Sequence, residues 1–202
     1  MAAVRLHQME YFLQGSVNKN NVENLLCRLE GLCDNTSHER DKFSDHEIVY
    51  SLRNNSHLVT LRARHSLVDT AAPWLLRYVG QAEMGDKSRA TLLRSCVEVE
   101  TSNNLSAFLE ELGFKFDYEF VLSGYYFYKG HIKITVSQVF RLPVVGDMSS
   151  MQLASESYLV EIGLTTAVQQ DSVAEDIKAF AEHLKPLVHL EKVDHRKLLH
   201  MS

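Results

Sequence analysis

The sequence has little cysteine and no long apolar run, and each shortage argues against a class of protein. Its three cysteines, Cys27, Cys33 and Cys96, are an odd number without a C-x-x-C pair, which argues against a disulfide framework or a thiolate zinc site. We expect buried free thiols in a reducing compartment. No run of about 18 apolar residues occurs, and the N-terminus lacks the apolar segment of a signal peptide. The sequence therefore predicts an intracellular protein that does not span a membrane.

Proline and glycine are also scarce, and neither marks a linker. The 202 residues contain three prolines and nine glycines, with no Pro-, Gly- or Ser-rich stretch and no internal repeat. With 45% hydrophobic residues, the chain is long enough to bury a sizeable core. We expect a single domain over residues 1–202.

Charge of one sign is not in large excess, and the motifs of several enzyme classes are missing. The net charge is -5, and the lysines and arginines are scattered, which argues against direct binding of nucleic acid. No glycine-rich phosphate loop, G-x-S-x-G elbow or helical histidine pair occurs. The sequence predicts no cofactor, no metal site and no catalytic residue.

The hydrophobic pattern predicts a strand-rich chain with three helices. Apolar and β-branched segments predict strands, and apolar residues at helical spacing predict helices that pack on the sheet. Strands are expected at about 9–15, 46–53, 58–64, 74–80, 91–100, 114–122, 124–128, 131–142 and 156–166, and helices within 20–34, 102–114 and 171–186. Ser172 and Glu175 are expected to form a capping box for the third helix. Without βαβ alternation, this order predicts the α+β class, with a largely antiparallel multi-stranded β-barrel and flanking helices.

Four consecutive aromatic residues at 125–128 raise the question of what covers the second face of their strand. Successive side chains of a strand point to opposite faces, so two of the four must face away from the main core. A two-residue loop at 129–130 would place Tyr126 and Tyr128 on the polar face, whereas a three-residue loop would reverse the faces. Either a helix of the same chain or a partner covers that face, and we predict that Tyr126 and Tyr128 contact a partner protein.

The apolar residues after Pro186 raise a similar question. Leu187, Val188 and Leu190 follow the third helix and must pack somewhere, either on the barrel or on another chain. The sequence leaves both alternatives open.

Alternating charges on three predicted strands allow two interpretations. The spacing puts Arg62 and Arg64 on one face of a predicted strand. It does the same for Glu98 and Glu100 on another strand, and Arg77 lies on a third. Inside a barrel they would form a tunnel resembling that of metal-dependent triphosphate hydrolases, where Arg clamps phosphate and carboxylates hold the metal. Only one E-x-E pair is present, however, so we expect these charges to face water on the outside of the sheet.

Several long strings, in the same order along the chain, resemble the Mediator subunit 18 family. The resemblance runs from Met9 to about Asp194, and the string at residues 72–87 is the most diagnostic. The strings are MEYFLQGSV, RLEGLCD, HE, LRARHS, APWLLRYVGQAEMGDKSR, LEELGFKFDYEFVLSGYYFYKG, SYLVEIGL and FAEHLKPLVHLEKVD.

The resemblance implies a β-barrel similar to that of the tunnel triphosphatases, but no catalysis. Members of the family pair with Mediator subunit 20, and a segment of Mediator subunit 8 tethers the pair within the head module. That module belongs to a nuclear coactivator that bridges regulators and RNA polymerase II. The resemblance therefore implies a non-catalytic scaffold subunit in the nucleus, and it supplies no site residue. The alternative is a metal-dependent triphosphate hydrolase of the tunnel-barrel class.

Overall fold

Nine strands and three helices are present in the computed structural model, which describes residues 8–35, 39–54, 57–83 and 88–193. A short 3₁₀ turn, Met148–Ser150, precedes the eighth strand. In chain order the elements are β1 (Gln8–Val17), α1 (Lys19–Leu32), β2 (Lys42–Asn54), β3 (His57–Ser66), β4 (Trp74–Val79), β5 (Leu92–Thr101), α2 (Leu105–Glu111), β6 (Lys115–Lys129), β7 (Ile132–Arg141), β8 (Gln152–Leu153), β9 (Tyr158–Thr166) and α3 (Asp171–Glu182).

The sheet closes on itself. Its strand order is β6-β2-β3-β4-β5-β1-β9-β7-β8, and a further pairing of the first strand, β6, with β7 closes eight of the strands into a barrel. Every pairing between these strands is antiparallel. The short β8 lies outside the closed ring, against the end of β7. The predicted α+β class and the largely antiparallel barrel with flanking helices are confirmed.

Two local predictions were wrong, and one strand was missed. The two strands expected at 114–122 and 124–128 are one continuous strand, β6, because Gly124 lies within the ladder and does not interrupt it. The strand β8 was not predicted, since two residues carry no periodic signal. The helix α3 begins with Gln170 as its N-cap, so Ser172 lies inside the first turn and does not form the expected capping box.

The largest hydrophobic core lies between the outer face of the barrel and two helices, α1 and α3. Alternate residues of β1, β6, β7 and β9 point into it and meet the apolar faces of both helices. The fully buried members include Tyr11, Phe127, Ile134, Ile162, Leu25, Leu29, Ile177 and Leu184. This packing buries the apolar faces of these strands, so their opposite faces line the barrel interior.

The segment after α3 packs on the barrel, which answers the question left open by the sequence. Val188 is fully buried in this core, and Leu187 and Leu190 pack against it. Gln14 and Glu191 exchange backbone hydrogen bonds of 2.9 and 3.1 Å, which fixes the segment along β1. These apolar residues are therefore part of the chain's own core.

A second, smaller core lies under α2. Leu105 and Leu109 of this helix are buried against Tyr50 and Ala63. Phe108, which the sequence places on the apolar face, is exposed. A helix of two turns buries only the stripe formed by residues four apart, so Phe108 lies on its flank. None of the helices in the described ranges combines the length and the apolar character needed to span a membrane.

The expectation of buried thiols is correct for only one cysteine. Cys96 is buried in β5, Cys33 is partly exposed after α1, and Cys27 is exposed on α1. Cys27 was wrongly expected to be buried. It follows the buried Leu26 in sequence, but its own side chain faces away from the core.

Candidate functional site

The β6–β7 hairpin has a register that the sequence did not predict. Lys129 pairs with Ile132, so Gly130 and His131 form the loop. Gly130 has a φ of 56°, a left-handed conformation in which a lysine would be strained. The two-residue loop therefore lies at 130–131 and not at 129–130, with glycine at its first position. As a result, each residue of β6 pairs with a residue of β7 two positions further along than the predicted loop at 129–130 would give. A shift of two preserves the faces of the strand.

Tyr126 and Tyr128 consequently lie on the inner face of the hairpin, beside Lys133. With Phe43 of β2 they form a cluster at one end of the barrel, which we call the aromatic mouth (Phe43, Tyr126, Tyr128 and Lys133). The ring centroids of Phe43 and Tyr126 are 6.4 Å apart, and those of Tyr126 and Tyr128 are 5.8 Å apart in an edge-on arrangement. The Lys133 Nζ lies 5.6 Å from the centre of the Tyr126 ring.

Hydrogen bonds from Asn35 to the backbone fix the aromatic mouth, and part of it remains exposed. The Asn35 side chain donates to the Tyr126 carbonyl and accepts a 2.8 Å hydrogen bond from the Tyr128 N–H. Tyr128 keeps 40% of its surface exposed. Partial burial, followed by the nearby Tyr126, raises the pKa of the Tyr128 hydroxyl, so this group stays protonated near neutral pH.

The charged side chains of β3, β4 and β5 face the barrel interior, so the expectation that they face outward was wrong. Lys133 on β7 interacts electrostatically with Arg64, Arg77 and Glu98, although β7 pairs with none of their strands. Such contacts are possible only across the interior. Enclosure, and then the neighbouring Arg64, lower the pKa of Lys133. The charged faces turn inward because the helices cover the apolar faces of the same strands.

Glu98 and Glu100, the only E-x-E pair, differ in their surroundings. Glu98 approaches Arg77 at 3.7 Å, whereas Glu100 is exposed near the end of β5. The pair therefore does not act as a unit that could clamp a cation.

Glu10 forms the most compact ion-pair group of the interior. Its two carboxylate oxygens accept hydrogen bonds of 2.5 Å from Arg77 and from Arg94. The Arg94 guanidinium also lies 4.2 Å from the centre of the Phe12 ring. Burial alone would raise the pKa of Glu10, but the two guanidinium groups outweigh it and hold the pKa below the ordinary value. Glu10 and Arg94 were not predicted as site residues, because their only signal is a single charge within a predicted strand.

Glu47 forms a second interior pair and is almost fully buried, with 1% of its side chain exposed. Its Oε1 accepts bonds of 2.9 and 2.6 Å from the Nε and Nη2 of Arg64. Its Oε2 lies 3.8 Å from Arg62 and accepts no hydrogen bond in the described part of the chain. Asp45, on the same face of β2, has a raised pKa because burial outweighs the nearby Arg64.

We expect Asp45→Asn to stabilise the protein near neutral pH. A raised pKa in the folded state means that ionised Asp45 destabilises the fold above its ordinary pKa of about 4. Asparagine avoids this cost, so thermal melts should show a midpoint about 1 to 3 °C higher at pH 7. The gain should vanish below pH 4, where both side chains are neutral. A lower midpoint at pH 7 would show that the Asp45–Arg64 attraction dominates.

Arginines engage the two most buried carboxylates of the interior. Glu10 and Glu47 are each bonded to arginines, and the described residues contain no group of three His, Cys, Asp or Glu side chains arranged to hold a metal ion. The Glu47–Arg64 pair links the adjacent strands β2 and β3, and Glu10 links β1 to β4 and β5. The arrangement suits a rigid support better than a binding cavity.

Comparison with known proteins identifies the family. A family model described as Med18 protein matches residues 9–68 and 53–199. The chain belongs to the Med18 family. Subunit 18 of the Mediator of RNA polymerase II transcription from Danio rerio is 50% identical over 195 residues, 96% of this chain and 93% of that protein. The Xenopus tropicalis protein of the same name is 47% identical over the same shares.

Solved structures agree on the fold of this chain. A chain in the structure of the Schizosaccharomyces pombe Mediator head module matches with a TM-score of 0.70 and 16% identity, covering 92% of this chain and 98% of that one. The RNA triphosphatase domain of a mimivirus mRNA capping enzyme matches with a TM-score of 0.54 and 9% identity, covering 91% of each chain. At these identities the likeness concerns the fold alone, and it confirms the expected similarity to the triphosphatase barrel.

Proposed function

We propose that this chain is a non-catalytic scaffold subunit of the Mediator head module, a coactivator that bridges regulators and RNA polymerase II in the nucleus. The observation that carries the proposal is the Med18 family match along residues 9–199. The fold likeness to a chain of the Schizosaccharomyces pombe head module supports it. We further propose that residues 1–202 act as one domain.

The physical character of the barrel supports a scaffold role. Its interior contains arginine–carboxylate pairs, and its apolar outer face is covered by its own helices and C-terminal segment. A rigid support of this kind can present separate contact surfaces in fixed positions.

The partners in this proposal are Mediator subunit 20, as a heterodimer, and a segment of Mediator subunit 8. Neither nucleic acid nor a membrane is a direct partner. The aromatic mouth is the contact surface that we propose for one of them, through Tyr126 and Tyr128. Tyr128 is exposed and Tyr126 is partly exposed. Tyrosines in fixed positions lose little side-chain entropy on binding, which is why tyrosine anchors many interfaces.

We expect Tyr128→Ala to weaken binding of the subunit 20–subunit 8 pair about 30-fold, the effect of losing an aromatic anchor at an interface. Isothermal titration calorimetry measures the change, and the melting temperature should shift little because the side chain is exposed. Tyr78→Ala is the matched control, since Tyr78 on β4 is 41% exposed. Equal affinities of wild type and Tyr128→Ala would remove the aromatic mouth from the interface.

The alternative function is triphosphate hydrolysis, which only the fold likeness to the mimivirus domain favours. Glu10 and Glu47 are occupied by arginines, so we expect no magnesium- or manganese-dependent release of phosphate from ATP or from triphosphate-ended RNA. A colorimetric phosphate assay tests this. Turnover that disappears in Glu98→Ala would support the enzyme.

Purification from nuclear extract tests the proposed membership. A tagged chain expressed in cells of its own source should recover the other head-module subunits in one-to-one amounts by quantitative mass spectrometry. The tagged Gly124→Ala chain, which should be strongly destabilised, serves as the control for adhesion of unfolded protein. Recovery of head-module subunits at background level by the wild-type chain would contradict the proposal.

A further inference from the structure

One edge of β6 extends past the end of β7. The last pair between these strands joins Phe120 to Arg141. From Lys115 to Glu119, β6 pairs with β2 on one side, and within the described ranges no strand pairs with its other side. The chain leaves the ladder at Pro143, which has no N–H to donate to the sheet.

A cavity of about 830 Å³ lies beside this open edge. Tyr118 and Phe120 of β6 line one side, and Leu142 and Leu153 line the opposite side. The Tyr118 and Phe120 rings are stacked with centroids 6.1 Å apart, and Tyr118 keeps 50% of its surface exposed. The unpaired backbone groups of β6 are thus bordered by apolar walls.

A cation without a counter-ion stands at the same place. Arg141 lines the cavity, is exposed, and forms no hydrogen bond or ion pair within the described part of the chain. The nearby Glu119 is occupied, because it bonds to His46 at 2.8 Å and accepts from the Gly146 N–H. Lys115 and Asp117, both exposed, add opposite charges at the start of β6.

We propose that this β6 edge groove (Tyr118, Phe120, Arg141, Leu142 and Leu153, with the free edge of 115–119) binds an extended segment of a partner protein as an added β-strand. The segment runs antiparallel to β6 along the line of β7. It places large apolar side chains on the face of Leu142 and Leu153, and it sets carboxylates on the opposite face, where Arg141 lies beside the Phe120 and Tyr118 rings. An open strand edge demands backbone donors and acceptors, which an extended peptide offers and a helix does not. The free Arg141 favours an acidic segment.

The groove is separate from the aromatic mouth. Tyr118 and Tyr128 are ten positions apart on one strand, about 33 Å at the usual rise per residue. The barrel can therefore hold two partners at opposite ends of β6. This inference stands on the geometry of the groove and does not depend on membership of Mediator.

Fluorescence anisotropy with a synthetic peptide tests the proposal on the whole chain. The probe is a fluorescein-labelled nine-residue peptide that alternates valine or phenylalanine with aspartate. One matched probe carries lysine in place of aspartate, and a second has N-methyl groups on the amides that would face β6. We expect the aspartate peptide to bind at least about tenfold more tightly than either matched probe, because each lacks a charge-assisted or backbone hydrogen bond.

Two variants locate the bound peptide. Arg141→Gln should weaken binding about tenfold, whereas Arg53→Gln, at an exposed arginine of β2, should leave it unchanged. Amide chemical shifts of the ¹⁵N-labelled chain should change along 115–120 and not at the aromatic mouth. The proposal is overturned by no binding of the aspartate peptide at millimolar concentration, by equal binding of the lysine or N-methylated peptide, or by indifference to Arg141→Gln.

Discussion

Replacement of Gly124 by alanine should prevent normal closure of the barrel and cost about 4 kcal/mol or more of unfolding free energy. A Cβ at this position would lie 2.1 Å from the carbonyl oxygen of Val136 and 2.6 Å from the Cα of Ser137. Both are backbone atoms of β7, so no side-chain rotation relieves the clash. The thermal midpoint should fall by about 8 to 16 °C, the scale for chains of this length.

Circular dichroism melts measure this effect, and Gly31→Ala supplies the matched control. Gly31 lies in α1, and outside the backbone of its own helix an added Cβ would meet no atom within 4 Å. Alanine there should stabilise the helix by about 0.5 to 1 kcal/mol. Equal midpoints for Gly124→Ala and wild type would mean that β6 and β7 do not approach as closely as the barrel requires.

Removal of the Glu10 carboxylate should be the second most damaging change, with an expected cost of about 3 to 5 kcal/mol. Glu10→Ala leaves Arg77 and Arg94 facing the interior without the counter-ion that bonds both of them at 2.5 Å. Urea denaturation at pH 7 measures the loss. Glu182→Ala is the control, because its 2.8 Å pair with Lys185 is exposed to solvent and its loss should change the stability far less.

Acid should reduce the effect of the Glu10 substitution. The folded pKa of Glu10 lies below its ordinary value, so its charge stabilises the fold above about pH 4.5 and that stabilisation is lost as the pH falls through the folded pKa. The stability difference between wild type and Glu10→Gln should therefore shrink as the pH falls from 5 to 3. A difference that stays constant over this range would contradict the assigned role of the Glu10 charge.

The fold class was predictable because strand patterns and helix patterns separate clearly along this chain. The register of the β6–β7 hairpin could not be predicted in the same way. Alternation predicted two aromatics on each face of β6, but the register depends on which residue accepts a positive φ, and Gly130 rather than Lys129 occupies that position. Local sequence fixes the face of a side chain more firmly than its partner across the strand.

The sequence also could not show whether the charged faces of the strands point into the barrel or out of it. The periodicity of Arg62, Arg64 and Arg77 placed each on one face of its strand, but it could not tell the inside of a barrel from the outside. That choice depends on which face the distant helices cover, and α2 covers the face of Ala63. The partners of Glu10 lie on β4 and β5, more than 60 residues away, and only the closed sheet brings them together. The open edge of β6 was likewise invisible, since it depends on where β7 ends.

The most direct test of the scaffold function is light scattering on the purified chain, alone and mixed with Mediator subunit 20 from the same source. The proposed function predicts a stable one-to-one complex whose mass is the sum of the two subunits. A chain that keeps its own mass in the mixture, at micromolar concentrations and with the subunit 8 segment present, would contradict it.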